Sequence, residues 1–322
     1  MSVNALEIQE TVLPEPESGD VAALSPLQLF WRRFRHDRVA IVALGFIVVL
    51  VIIALAAPLI IKALNLQPLN KPNTGELDTF GAPTGPSGVH PLGVDDLGRD
   101  LLARVIYGAR VSLLVAFVAT GIAVVIGVVI GTVAGFFRGW VDSALSRFMD
   151  VVLAFPILLL AIGLASACSL GNGCLGGLIQ PGEKTLIFVI ALSSWPYIGR
   201  IVRGQVLSLR EKEFVEAARS LGASNVRIMR REILPNLVAP IIVYTSLILP
   251  TNVLYEAALS FLGVGVQPPT ASWGQMIATA APIFDSAWWF MLFPGLALVL
   301  TVLAFNLVGD GLQDALDPRG NR

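Results

Sequence analysis

Apolar positions in this chain come in long unbroken runs, not in the alternating or every-third-and-fourth patterns of half-buried elements. Six runs, at 39–61, 111–137, 151 to about 167, 185–199, 236–255 and 286–309, contain no Asp, Glu, Lys or Arg. A hydrocarbon core about 30 Å thick needs about 20 such residues of helix. Continuous runs also exclude a transmembrane β-barrel, whose strands alternate. The pattern predicts an all-α polytopic membrane protein with six transmembrane helices, the short fourth run borrowing residues on either side. Composition agrees: 55% of residues are hydrophobic, 14% are charged and mean hydropathy is +0.75, against roughly a quarter charged residues in a soluble domain.

The polar segments between the runs set an orientation. Sixteen of the 22 basic residues fall before the first run, after the second, between the fourth and fifth, or after the sixth. The positive-inside rule then predicts both termini in the cytoplasm. Residues 1–24 carry Glu7, Glu10, Glu15, Glu17 and Asp20 with no basic residue, the reverse of a signal-peptide start, and read as a disordered acidic tail. Ser25 and Pro26 open a helix over 25–38. There Leu27, Phe30, Trp31 and Phe34 oppose Arg32, Arg33 and Arg35, a pattern for lying in the membrane interface. The membrane-spanning body then covers 39–309, followed by a cytoplasmic tail, 310–322. On the outer side, Cys168 and Cys174 either pair in an oxidising compartment or serve as two small loop residues. No metal site is expected, because His36 and His90 fall on opposite sides of the membrane.

Between the fourth and fifth runs lies a basic amphipathic stretch, 203–235. A helix over 211–221 places Phe214, Ala217, Ala218 and Leu221 on one stripe. Gly222 follows where a positive φ turns the chain, Ser224 or Asn225 caps a second helix, and Leu234 and Pro235 open the next run. By pattern alone this hairpin is either a loop resting on anionic headgroups or a handle for a cytoplasmic partner.

The order of residues favours the handle. Glu216-Ala217-Ala218, then Gly222, then Leu234-Pro235 resembles the EAA signature of binding-protein-dependent ABC importer permeases. One departure is Glu232, where the signature has Ile; this chain has Ile at 233. Three further blocks resemble the C-type subunit of the dipeptide/oligopeptide/nickel branch: HPLGVDDLGRD at 90–100 running on to YGARVS at 107–112; EAALSFLGVGVQPP at 256–269 with SWG at 272–274; and FPGLA at 293–297 with FNLVGDGLQDALDPR at 305–319. The likeness spans about 25–319, apart from an insertion at 62–88. It implies the type I importer permease fold in a bacterial inner (cytoplasmic) membrane. Glu216, Ala217, Ala218, Gly222, Leu234 and Pro235 would belong to a coupling helix seated on an ATP-binding subunit. Partners would be a second permease, two ABC ATPase subunits or domains that hold ATP and Mg, an extracytoplasmic solute-binding protein and membrane lipid, with no nucleic acid. Di- and oligopeptides lead among the implied cargoes.

Two polar clusters near the outer side have open roles. Asp95, Asp96, Arg99 and Asp100 read as a helix cap with local ion pairs, or as a gate or docking surface. Glu256 sits about 20 residues beyond Pro235, or about 30 Å of helix. At membrane depth, with Asn252 beside it, it faces a substrate ammonium or makes a structural hydrogen bond or ion pair. Pro250, Thr251 and Asn252 are expected to break or bend their helix, and Pro156, Pro196, Pro240 and Pro294 to mark hinges or static kinks. The chain itself holds no cofactor and is not an enzyme. None of its four lysines follows glycine, so no P-loop exists. A passive channel or membrane scaffold is the alternative to an ATP-driven importer.

Overall fold

Each apolar run becomes a helix whose ends are set by identifiable polar groups. The computed structural model describes residues 26–67, 69–169, 173–174 and 177–316, and forms no strand there beyond isolated bridges. Helix α1 (Pro26–Phe34) leads into α2 (Arg38–Ala63), where the Asp37 carboxylate accepts from the N–H groups of Val39 and Ala40 at 2.9 and 3.0 Å. That cap satisfies two of the orphan donors of a helix start. Helix α3 (Leu101–Phe136) is capped by Asp100, which accepts from the Ala103 N–H at 2.9 Å. It begins ten residues before the apolar run and takes Arg104 and Arg110 into the helix.

The third crossing departs from expectation. It is two helices, α4 (Trp140–Ala154) and α5 (Ile157–Ser169), meeting at 88° across Phe155 and Pro156. Proline has no N–H and disfavours helix at the residue before it, so Pro156 is a corner rather than a mild kink. Helix α6 (Glu183–Leu209) is much longer than its apolar run. Arg200 and Arg203, assigned from sequence to the inner loop, lie within it because carboxylates of α4 meet them: Asp150 at 2.6 Å and Asp142 at 2.5 and 2.9 Å. Five helices are individually long and apolar enough to cross a membrane, and the bent pair makes a sixth.

Beyond α6 come α7 (Glu213–Ser220), the single turn α8 (Asn225–Ile228) and a π turn at Met229–Ile233 that runs directly into α9 (Leu234–Phe261). Pro240 and Pro250 both sit inside α9. Of the break or bend expected at Pro250, no break occurs, since α9 is continuous there; Asn252 is held by hydrogen bonds to Thr120 of α3 and Ser194 of α6, at 2.8 and 2.9 Å. The short helix α10 (Trp273–Ala280) precedes α11 (Trp288–Leu316). Residues 310–316, expected in the tail, are the last two turns of α11. Gly311 lets α11 press on the start of α2, for a Cβ there would lie 2.4 Å from that of Ala40. The acidic segment 1–24 and residues 317–322 lie outside the described residues.

The tightest packing joins α3 to α6. Gly127, Gly131 and Gly135 form one stripe of α3. A Cβ on them would meet backbone oxygens of α6 at 2.9 Å (Trp195), 2.5 Å (Gly199) and 2.8 Å (Arg203). Lipid gives helices no hydrophobic reason to associate, so close backbone approach through small residues supplies the contact. Around this pair, α9 packs on α3 and α6, while α2 and α11 pack on α3 and α9.

Candidate functional site

The starts of α2 and α9, the ends of α3, α6 and α11, and the α7–α8 hairpin share one face of the molecule. This follows from antiparallel packing and from contacts such as Arg138 with Glu211, and Arg210 with the carbonyls of Gly135 and Phe136. On that face α7 ends in a Schellman motif. Gly222, at φ 78°, donates to Arg219 O, and Ala223 donates to Ala218 O. The Ser224 hydroxyl then accepts from the Arg227 N–H at 3.4 Å.

The buried side of α7 differs from the expected stripe. Val215 is fully buried against Val206, Ile228, Ile233 and Leu237, with Ala218 half-buried beside it. Phe214 and Leu221 are 39% and 88% exposed, and Glu216 and Ala217 are exposed as well. Helix α7 is thus anchored by one turn of apolar contact and presents a second, mixed apolar and acidic side outward. Leu234 and Pro235 occupy the first turn of α9, both exposed.

A second feature was not foreseen from the sequence. Two cavities, of about 270 and 460 Å³, lie along α9 and share Tyr244. The first is lined by Ser194, Tyr197, Thr251, Asn252 and Tyr255 together with apolar residues, and the second by Gln205 and Gln313 near the handle face. From Ala239 to Tyr255 the groove follows about 24 Å of helix. Three of the chain's four tyrosines lie in it. Tyrosine normally marks the membrane–water interface, so a column of phenols and amides along a crossing helix marks a surface that does not face lipid. The signal in the sequence was the recurrence of polar residues on one side of runs four and five.

At the opposite end, the Asp95 cluster forms a buried ionic network. Asp95 is fully buried and accepts from Arg99 Nε at 2.6 Å and from the backbone N–H groups of Leu97 and Arg99, with Arg104 Nε 3.1 Å away as a second ion pair. Arg104 also reaches Gln275 of α10 at 3.3 Å. Asp100 caps α3 and meets His90 Nδ1 at 2.7 Å, while Glu76 lies 3.3 Å from His90 Nε2. Asp96 pairs only loosely with Arg99, at 3.4 Å. Burial, then the neighbouring Asp95, raise its carboxyl above the usual 3.8. The cap and ion pairs are present, and they tie the segment after α2, the start of α3 and α10 together.

Glu256 does not line the groove. It is fully buried between α3, α9 and α10. Ser260 Oγ donates to its Oε1 at 2.9 Å, the buried Ser112 and Ser272 lie beside the carboxyl, and Oε2 has no hydrogen-bond partner among the described residues. Of the residues expected on a pathway, only Asn252 borders it. Cys168 and Cys174 form a disulfide, with Cα atoms 4.6 Å apart. No metal-binding group of His, Cys, Asp and Glu exists among the described residues.

Six crossings, a bent third span and a hairpin continuous with a polar-faced helix define the class: a type I importer permease. The same fold occurs in a chain of the MetNI methionine ABC transporter in inward-facing crystal forms, with a TM-score of 0.55 at 21% identity over 67% of this chain and 98% of that one. Residues 127–322 match the family of binding-protein-dependent transport system inner membrane components, and residues 25–72 the N-terminal TM domain of oligopeptide transport permease C. The chain is 40% identical to the dipeptide transport system permease protein DppC of Alkalihalophilus pseudofirmus over 310 residues, 95% of each chain. It is 42% identical to the glutathione transport system permease protein GsiD of Escherichia coli over 295 residues, 92% of this chain and 91% of that protein. The protein belongs to the family of binding-protein-dependent transport system inner membrane components: it is a multi-pass permease subunit of the bacterial inner membrane and not itself catalytic.

Proposed function

We propose that this chain is one of two permease subunits of an ATP-driven importer that carries short peptides into the cytoplasm by alternating access. The observation that carries the reading is the continuity between α7 and the groove. The exposed side of α7 passes through Gly222 and α8 into α9, and α9 bears Tyr244, Thr251 and Tyr255. A partner that displaces α7 therefore displaces the wall of the groove. In this reading two ATPase subunits, holding ATP and Mg, bind Glu216, Ala217 and the apolar edge of Phe214 and Leu221. An extracytoplasmic binding protein delivers cargo at the side of the Asp95 network. ATP binding and hydrolysis bias two states through their different affinities for the partners.

The groove's chemistry supports peptides. Its polar lining is neutral, made of phenols, hydroxyls and amides that match a peptide backbone without demanding one side-chain charge. The relatives' names, one for dipeptide and one for glutathione, share that backbone chemistry.

The test is uptake into proteoliposomes containing the full complex. Gly222→Trp places a bulky side chain where φ is 78°, a conformation costly for any residue with a Cβ. Membrane insertion and assembly are expected to persist while ATP-dependent uptake falls at least about tenfold, the change that about 1.4 kcal/mol of lost coupling makes. Normal ATP-dependent uptake by this variant excludes the coupling role. Uptake by the wild type without ATP supports a passive channel instead.

A further inference from the structure

Two cavities on the handle face meet at one arginine and differ in character. The first, about 650 Å³, lies where α1 turns into α2 and is lined by Trp31, Arg32, Arg35, His36 and Arg38, with no acidic residue. The second, about 450 Å³, is a groove between α2 and α11 whose lining is almost wholly apolar, with Val42, Phe46, Leu300, Leu303 and Leu307 along it and Arg38 at its mouth. From Arg38 to Phe46 the groove follows about 12 Å of helix, running from the basic start of α2 into its apolar span.

The basic part is charged and unspent. Among the described residues, no carboxylate lies within ion-pair distance of Arg32, Arg35 or Arg38. The nearest acid in sequence, Asp37, is committed to capping α2. Exposed Asp310 and Asp314 on α11 do not line either cavity. The Arg35 guanidinium lies over the Trp31 ring, 5.9 Å from its centre, and His36 Nδ1 donates to Arg32 O at 2.8 Å. Both contacts hold the α1–α2 turn in shape without neutralising it.

We propose that this composite site binds one anionic phospholipid, its phosphate among Arg32, Arg35 and Arg38 and an acyl chain in the α2–α11 groove. The assignment rests on charge and continuity. A basic cavity that opens into an apolar groove fits an amphiphile with an anionic end. A free anion would use only the basic half, and an apolar helix of another protein would leave three arginines unmatched. Basic pockets at the membrane surface are suited to anionic headgroups, and a buried acyl segment adds about 0.8 kcal/mol per methylene. The bound lipid would brace α1 against α2 and α11.

The experiment is native mass spectrometry of the full chain in mixed micelles holding equal amounts of phosphatidylglycerol and phosphatidylcholine. Wild-type protein is expected to retain phosphatidylglycerol preferentially. The Arg32→Gln/Arg35→Gln/Arg38→Gln variant is expected to lose at least about tenfold of that affinity. The corresponding triple Lys variant should keep most of it, and Leu303→Trp, which fills the groove, should weaken it with every charge in place. These two variants also decide the matter if the Gln variant fails to fold. Equal retention of both lipids, or undiminished phosphatidylglycerol on the folded Gln variant, overturns the proposal. Displacement by millimolar inorganic phosphate, with Leu303→Trp binding normally, identifies a free anion site and overturns it too. Loss of bound lipid when the second permease assembles means that a protein covers the groove, and likewise overturns it.

Discussion

At the scale of single residues, Asp95 and Asp96 are neighbours with opposite roles. Asp95 is the one carboxylate within reach of two buried arginines, so Asp95→Asn leaves Arg99 and Arg104 charged and short of a partner. Removing one member of a buried pair costs roughly 3–5 kcal/mol, and thermal unfolding of the solubilised protein should show a large loss. Asp96 is half-buried beside Asp95, and its raised carboxyl means that the folded state prefers it protonated. Its contribution to stability is therefore full below its ordinary value near 3.8 and is lost as pH rises through the raised value. Asp96→Asn is expected to be neutral or stabilising at pH 7 and to flatten that part of the pH–stability curve. The sequence showed both as Asp ahead of a helix; only the fold decides which one the arginines surround.

At the scale of elements, helix ends follow local chemistry that the sequence displays. Asp37, Asp100 and Ser272 cap their helices, Gly222 closes α7, and Pro156 turns the third crossing. Helix lengths were less legible, because α6 runs on past its apolar core where carboxylates of α4 meet its arginines, and α11 runs on where Gly311 packs against Ala40 of α2. The glycine stripe of α3 makes a sharp prediction. Gly131→Leu drives a side chain into Gly199 O and Val202, with overpacking costing roughly 1–3 kcal/mol. Gly121→Leu, which meets nothing within 4 Å, should be harmless. Melting temperatures of the two purified variants, compared with the wild type, check the contrast.

At the scale of the whole molecule, the tyrosine groove is a polar seam along α9, and under the proposed function a second permease closes it. A seam that carries cargo is wet. Thr251→Cys should therefore react with a membrane-impermeant thiol reagent in the assembled complex and be protected when transported peptide is added. Val49→Cys, exposed on the apolar surface of α2, should not react. The native cysteines are joined in their disulfide and do not compete. A Thr251→Cys that stays unreactive in every state places the seam in lipid or in a dry interface, against the pathway reading.

What the sequence determined by itself is whatever depends on neighbours along the chain: continuous apolar runs that must become spanning helices, caps and turns set by Asp, Ser, Gly and Pro, and the ordered blocks that mark the family. The tertiary structure decided everything that depends on which helix lies beside which. It turned Phe214 and Leu221 outward by inserting Val215 into the bundle. It sealed Glu256 among serines of α3, α9 and α10. It gathered three tyrosines from α6 and α9 into one groove, and it joined a basic turn to an apolar cleft at Arg38. In a membrane, hydrophobicity chooses what is inserted but not which faces meet. Small-residue packing and a few polar contacts make that choice, and they are visible only once the helices are in place.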